Sequence, residues 1–267
     1  MTDMRTQQET GAAFQALHAG EPFVIPNPWD AGSARVLEAL GFKALATTSA
    51  GFAFTLARLD GEVSLDEVAA HVSSLTAATD LPVSVDLENG YGLHPEDAAL
   101  AIRAVAEAGA VGGSIEDWDR GGRFYEIAHA AERVAAAVEA AHALPFPFTL
   151  TARAENFVRD NPDLHDAIAR LQAYEAARAD VLYAPRLGSL DNIRAVCEAV
   201  SKPVNVLAEP GISMADMVEA GAQRVSVGGR LTWVAVKALV DAAVAIRDRG
   251  DFSALAATVA LEEWFGS

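Results

Sequence analysis

The chain has 267 residues, 51% of them apolar and 21% charged, with a formal net charge of −17. This is the composition of a globular protein with a large core, and its excess of carboxylates excludes a nucleic-acid partner, whose phosphates need Lys/Arg patches. One cysteine (Cys197) rules out an intrachain disulfide, the first residues lack an apolar signal-peptide core, and no apolar run is long enough to span a bilayer, so the expectation is a soluble, cytoplasmic protein with no membrane partner.

A helix is expected over 6–18, ahead of the first strand at 22–26. From there short β-branched or apolar runs alternate with longer Ala/Leu-rich runs. Strands are predicted at 43–47, 82–86, 111–115, 147–152, 180–184, 203–207 and 223–227, and helices near 31–40, 64–78, 95–108, 125–142, 163–177, 189–200, 213–220 and 230–247. Eight strands alternating with helices predict parallel βαβ units closed into a single (β/α)8 barrel of the TIM type over 1–267. Ser64 and Glu67 have capping-box spacing, Pro95 and Pro162 suit first helical turns, and Gly41, Gly109 and Gly221 fall where helices stop. Residues 252–265 read as a further helix carrying Phe252, Leu255, Val259, Leu261, Trp264 and Phe265. So much apolar surface at a terminus should be covered, either by a partner subunit or by the same barrel, and 230–267 is the segment expected to contribute to oligomerisation.

Active sites of such barrels form where the strands end. The residues there begin with Pro26-Asn27-Pro28-Trp29-Asp30. The second strand is followed by Thr47-Thr48-Ser49-Ala50-Gly51, a small-residue turn able to turn backbone N–H groups toward an anion. Asp60 lies on the same long loop. The third strand delivers Asp86 and Glu88, two apart and so expected on one side of an extended segment, and the fourth delivers Glu116, with Asp117 a candidate cap for the next helix. Carboxylates gathered at one rim suit a hard divalent cation. Arg153 ends the fifth strand, where it could clamp a carboxylate or pair with Glu155 or Glu116; Asn205 and Glu209 lie on and beyond the seventh strand, and Arg230 follows the eighth. No GxSxG, GxxxxGK[ST] or GxGxxG motif is present, and Cys197 sits mid-helix, where a buried thiol is the ordinary reading.

Taken in order, Asn27-Pro28-Trp29-Asp30, Ser49-Ala50-Gly51, Asp60, Val85-Asp86-Leu87-Glu88-Asn89-Gly90-Tyr91-Gly92, Ile115-Glu116-Asp117, Thr151-Ala152-Arg153 and Asn205 make the chain resemble the isocitrate lyase / phosphoenolpyruvate mutase superfamily over nearly its whole length. The resemblance implies a barrel whose last helix is exchanged between subunits of a homodimer or homotetramer. It implies Mg²⁺ (or Mn²⁺) near Asp86, Glu88 and Glu116. It implies a small 2-oxo or 2-hydroxy acid substrate met by Trp29, Ser49, Ala50, Gly51, Asp86, Arg153 and Asn205, with Arg153, Asp60, Glu116 and Tyr125 as catalytic candidates. The expected activity is C–C cleavage through an enolate, as in methylisocitrate lyase. An oxaloacetate-type decarboxylase, a phosphonopyruvate-type P–C enzyme, and a 2-oxo acid binder with little catalysis are the alternatives. The chain departs from the pattern in two places. Glu88-Asn89 stands where the family has Asp-Thr, and Trp118-Asp119-Arg120-Gly121-Gly122-Arg123-Phe124-Tyr125 stands where the lyases carry a gating Lys-Lys/Arg-Cys-Gly-His. Tyr125 or a water is then left as the acid/base, and Arg120 or Arg123 as a closing cation.

Overall fold

A computed structural model describes residues 5–265. The expected strands form, mostly trimmed at their ends: β1 (Phe23–Ile25), β2 (Leu45–Ala46), β3 (Val83–Asp86), β4 (Gly112–Glu116), β5 (Thr149–Arg153), β6 (Val181–Tyr183), β7 (Val204–Leu207) and β8 (Arg224–Ser226). Every ladder is parallel, in the order β1-β8-β7-β6-β5-β4-β3-β2. Between them run α1 (Gln7–Ala19), α2 (Ala31–Ala39), α3 (Ser49–Thr55), α4 (Leu65–Thr76), α5 (Pro95–Glu107), α6 (Ile127–His142), α7 (Leu164–Ala176), α8 (Leu190–Ala199), α9 (Met214–Glu219), α10 (Arg230–Arg249) and α11 (Leu261–Phe265). This is a (β/α)8 barrel.

The seam between β1 and β2 is closed by few contacts. Ala46 N–H donates to Pro26 O at 3.0 Å. Asn27, 5% exposed, then ties three strand ends together: its Nδ2 donates to Thr47 O at 3.0 Å, while its Oδ1 accepts from Val227 N–H at 3.0 Å and Gly228 N–H at 2.8 Å. The opposite end of the barrel is plugged by α1. Phe14 is fully buried there with Phe23, Ile25, Ala44 and Val111, and a Cβ at Gly112 would stand 2.7 Å from its ring. Burying one such ring contributes roughly 2–3 kcal/mol.

Local chemistry explains the helix boundaries. Ser64 and Glu67 form the reciprocal cap on α4, Pro95 opens α5, and Gly109 and Gly221 take φ of 103° and 107°, a region that favours glycine. Pro162 lies outside the first turn expected for it, before the Asp163 cap of α7. Two segments differ from the sequence reading. The turn expected after β2 is the start of helix α3, capped by Thr48. The helix expected over 252–265 is interrupted: a 3₁₀ turn covers Ser253–Ala256, Ala257 is extended, and α11 resumes at Leu261. Thr258 and Val259 are β-branched, and Phe252, Leu255, Val259, Leu261 and Phe265 are all exposed, so no packed face holds a continuous helix. α10 also stands away from the barrel wall. Thr232 is its one buried residue, and Val234, Leu239 and Val240 face outward. No helix among the described residues is long and apolar enough to cross a membrane.

Candidate active site

A cavity of about 370 Å³ opens at the C-terminal ends of the strands. Asn27, Ser49, Ala50, Asp60, Asp86, Arg153, Tyr183 and Asn205 line it, together with Arg186, Arg224 and Arg230. Of the expected substrate contacts, Trp29 and Gly51 do not. Trp29 is half-buried with its amide on Ser33 Oγ (3.0 Å), and Gly51 N–H is taken by the capping Thr48 Oγ1 (3.3 Å). Ser49 and Ala50 do reach the cavity, at the first turn of α3. Asn205 is fixed on both sides, Oδ1 accepting from Arg224 Nε at 2.8 Å and Nδ2 donating to Ser226 Oγ at 3.0 Å.

The acids form one electrostatic group. Asp86 accepts from Ser49 Oγ at 3.1 Å and Glu88 N–H at 3.3 Å, and faces Arg153 Nη1 at 3.7 Å. Glu116 meets Arg153 at 3.4 Å and Arg159 at 3.3 Å, and Glu155 meets the same two guanidiniums. Glu88 does not continue the strand as expected. Its φ is 48°, within a turn closed by Gly90 N–H on Leu87 O (2.8 Å), so its side chain meets Arg120 Nη2 at 3.1 Å.

Protonation follows from burial and crowding. The Glu88 carboxyl is pushed up to about 7 by burial, with Asp86 and Asp60 adding to the rise against the opposing pull of Arg120. Glu116 is raised well above the carboxylate range by burial and Glu155. Asp60, exposed at the rim but desolvated on its inner side, is raised by that desolvation and by Asp86. Burial pulls the other way on Arg153, but Glu155, Glu116 and Asp86 outweigh it and hold it protonated. Five carboxyls (Asp60, Asp86, Glu88, Glu116 and Glu155) thus face three guanidiniums (Arg120, Arg153 and Arg159), and burial with this surplus of acid makes Asp60, Glu88 and Glu116 hold their protons more tightly.

A surplus of carboxyl groups is a setting that a cation can neutralise. Among the described residues no three His, Cys, Asp or Glu side chains converge on a single point. The expected set of Asp86, Glu88 and Glu116 is therefore not gathered as one cage, since Glu88 turns to Arg120 and Glu116 to Arg153 and Arg159. Mg²⁺ keeps several waters and needs only one or two carboxylates, and Asp86, facing the cavity through contacts of 3.1 Å and longer, fits that requirement.

The remaining candidates lie outside the cavity. Tyr125 is 7% exposed, its hydroxyl accepting from Asn89 Nδ2 at 3.0 Å and donating to Gly92 O at 3.4 Å, which braces the loop after β3. Asp117 does not cap α6. It accepts from Glu155 N–H at 2.9 Å and from Tyr174 OH, and pairs with Arg170 at 3.1 Å. The segment at the gating position is a short hairpin: Trp118 bridges Phe124, Asp119 N–H donates to Arg123 O at 2.8 Å, and Arg159 and Arg170 lie over the Trp118 and Phe124 rings at 5.1 Å each. Arg120 crosses to Val63 O at 3.2 Å, whereas Arg123 extends outward beside Asp119. Cys197 is half-buried on α8, its thiol raised to about 11 by burial, which removes it as a nucleophile.

The sequence reading missed Arg159, Arg186 and Arg224. A signal existed for Arg224, since Arg224 and Ser226 alternate with Val225 and so share the inward face of β8.

Comparison with known proteins places this geometry. The model of the phosphoenolpyruvate phosphomutase family matches residues 14–247. A lyase/mutase candidate from Burkholderia cenocepacia is 48% identical in its crystal structure, with a TM-score of 0.94 over 98% of this chain and 97% of that one. An uncharacterized Mycobacterium tuberculosis protein is 32% identical over 86% of this chain and 87% of its own length. The oxaloacetate decarboxylase of Paraburkholderia xenovorans is 30% identical over 82% of this chain and 76% of its own. With the strand-end acids, Arg153 and Asn205 arrayed at the mouth of a (β/α)8 barrel, the chain belongs to the phosphoenolpyruvate phosphomutase family, within the isocitrate lyase / phosphoenolpyruvate mutase superfamily of carbon–carbon lyases and mutases.

Proposed function

We propose that this protein is a Mg²⁺-dependent lyase that cleaves a carbon–carbon bond of a small 2-oxo or 2-hydroxy carboxylic acid through an enolate. The observation that carries the reading is Asp86 on the cavity wall, beside Asp60 and within a group of five acids that share three guanidiniums. Asp86 would hold the cation, with Glu88 and Glu116 on its flanks. A bound Mg²⁺ would supply positive charge beside the substrate's 2-oxygen, favouring its negatively charged form. Arg153 orients the substrate carboxylate, and its rigid fork is kept in place by Glu116 and Glu155. Ser49 and Ala50 present the first turn of α3 to the developing oxyanion. Asn205, its amide set by Arg224 and Ser226, closes the floor.

No His, Cys or Lys is among the residues lining the cavity; Asp60, its carboxyl raised by desolvation and by Asp86, is the lining group that takes the hydroxyl proton of a 2-hydroxy acid, and the carbanion is quenched from that carboxyl or from water. Retro-aldol cleavage is the first reading. Loss of CO₂ passes through the same enolate and is favoured by the likeness to an oxaloacetate decarboxylase. Exposed Leu239, Val240 and Leu255 support the further reading that a second copy covers the C-terminal helices in a homodimer or homotetramer. The test is release of pyruvate, glyoxylate or CO₂ from a panel of 2-oxo and 2-hydroxy acids with Mg²⁺ and with EDTA. Turnover should be lost with EDTA and fall at least about 100-fold in Asp86→Asn. Turnover that survives both would sink the reading.

A further inference from the structure

Three arginines other than Arg153 line the cavity, and they differ in what they touch. Arg230 is paired with Glu209 at 2.9 Å. Arg224, 5% exposed at the floor, spends its N–H groups on neutral acceptors: Asn205 Oδ1 (2.8 Å), Thr151 Oγ1 (3.0 Å) and His18 Nε2 (3.1 Å). Arg153, oriented by Glu116 and Glu155, is the group assigned to the first carboxylate. Arg186, alone among the described cations of the cavity wall, has neither a hydrogen bond nor an ion pair, although its chain carries far more acid than base.

Its placement is built. Arg186 follows β6 between two buried neighbours, Pro185 and Leu187, the latter 3% exposed. Leu187 O accepts from Asn192 Nδ2 at 2.6 Å and Ser189 caps α8, which anchors the segment after Arg186, while β6 and buried Pro185 hold the segment before it. Between them Arg186 takes φ of 59°, left-handed backbone that a non-glycine residue adopts only when its surroundings impose it. Arg186 itself is exposed and lines the cavity.

We propose that Arg186 is a specificity determinant that receives a second carboxylate of the substrate, so that this enzyme acts on 2-oxo or 2-hydroxy dicarboxylates in preference to monocarboxylates. The inference rests on the proposed function, in which Arg153 and the Asp86 side take the first carboxylate and the 2-oxygen. A guanidinium free of internal partners keeps its fork available for bidentate pairing. The grip also bears on the reaction. An ion pair is forfeited if the gripped carboxylate departs as neutral CO₂, which raises the barrier to that loss. The group held by Arg186 is one that the product keeps.

The experiment compares binding by calorimetry, with Mg²⁺, of two carbon-matched pairs: oxaloacetate against 2-oxobutanoate, and 2-oxoglutarate against 2-oxopentanoate. Wild-type protein should bind at least one dicarboxylate on the order of tenfold tighter than its matched monocarboxylate. Arg186→Gln should reduce that preference to about twofold or less while leaving the monocarboxylate affinity unchanged, and Arg186→Lys should restore most of it. A preference that persists in Arg186→Gln, or an equal loss for both members of a pair, overturns the assignment, as does a wild-type protein that does not discriminate. If wild type binds none of the four, the proposed function fails at its base and the role of Arg186 with it, a result distinct from the loss of preference alone.

Discussion

Replacing Asn27 with alanine tests how the barrel is closed. Among the described residues the β1–β2 seam is bridged by the Ala46–Pro26 backbone hydrogen bond and by the Asn27 amide, which reaches Thr47 O after β2 and also Val227 N–H and Gly228 N–H after β8, at 2.8–3.0 Å. Alanine orphans all three groups. Each buried group left without a partner costs roughly 1–3 kcal/mol. The site borders the cavity, where water can reach part of the gap, so the low end applies and the expected loss is about 3 kcal/mol. Urea unfolding followed by far-UV circular dichroism reads this as a lower midpoint at unchanged slope, because the surface exposed on unfolding is nearly the same. The same strand ends carry Thr47 and Gly228 into the cavity wall, so ligand affinity should fall alongside stability. A loss below about 1 kcal/mol would refute the reasoning and mean that the seam is held by the rest of the barrel.

Acid sensitivity should trace to His18. Its Nδ1 faces Phe14 O at 2.8 Å and its Nε2 faces Arg224 at 3.1 Å, so the neutral ring donates to one and accepts from the other. Burial and then Arg224 push its pKa down to about 3. A depressed folded-state pKa means stability that is complete above the unfolded value near 6.5 and is lost as pH falls toward 3. For this half-buried ring the drop from pH 7 to pH 5 should be on the order of 1 kcal/mol, and His18→Gln should remove that part of the slope in a comparison of urea midpoints at the two pH values. Sedimentation velocity should find wild type larger than a monomer, and Leu239→Asp combined with Val240→Asp should shift it to the monomer; an unchanged oligomer would show that the exposed face of α10 is not the contact.

The barrel was legible because its signal is repeated eight times, each buried strand followed by a helix with its own stop. What the sequence hid has local causes. Helix α3 runs only Ser49–Thr55, too short to show a 3.6-residue period, and its start was read as a turn. Glu88 was placed beside Asp86 by strand alternation, but the chain leaves the extended region two residues after Asp86, and no rule of side-chain spacing carries through a left-handed residue. The acids at the rim are visible as residues, as is the pairing of Arg153 with Glu116 and Glu155; Arg159, which reaches the same acids from a loop, and the turn of Glu88 toward Arg120 are not. Tyr125 looked available for proton transfer in the sequence and is spent inside the fold on Asn89 and Gly92.

The hairpin from Trp118 to Phe124 has a consequence for how ligands bind. It is tied by a buried Asp117–Arg170 pair, by two guanidiniums over its rings and by Arg120 reaching Val63. The conformational entropy of ordering this segment is therefore surrendered when the chain folds and is not charged again to each molecule of substrate. Association should be rapid and only weakly dependent on viscosity beyond simple diffusion, and products should leave without waiting for a cover to lift.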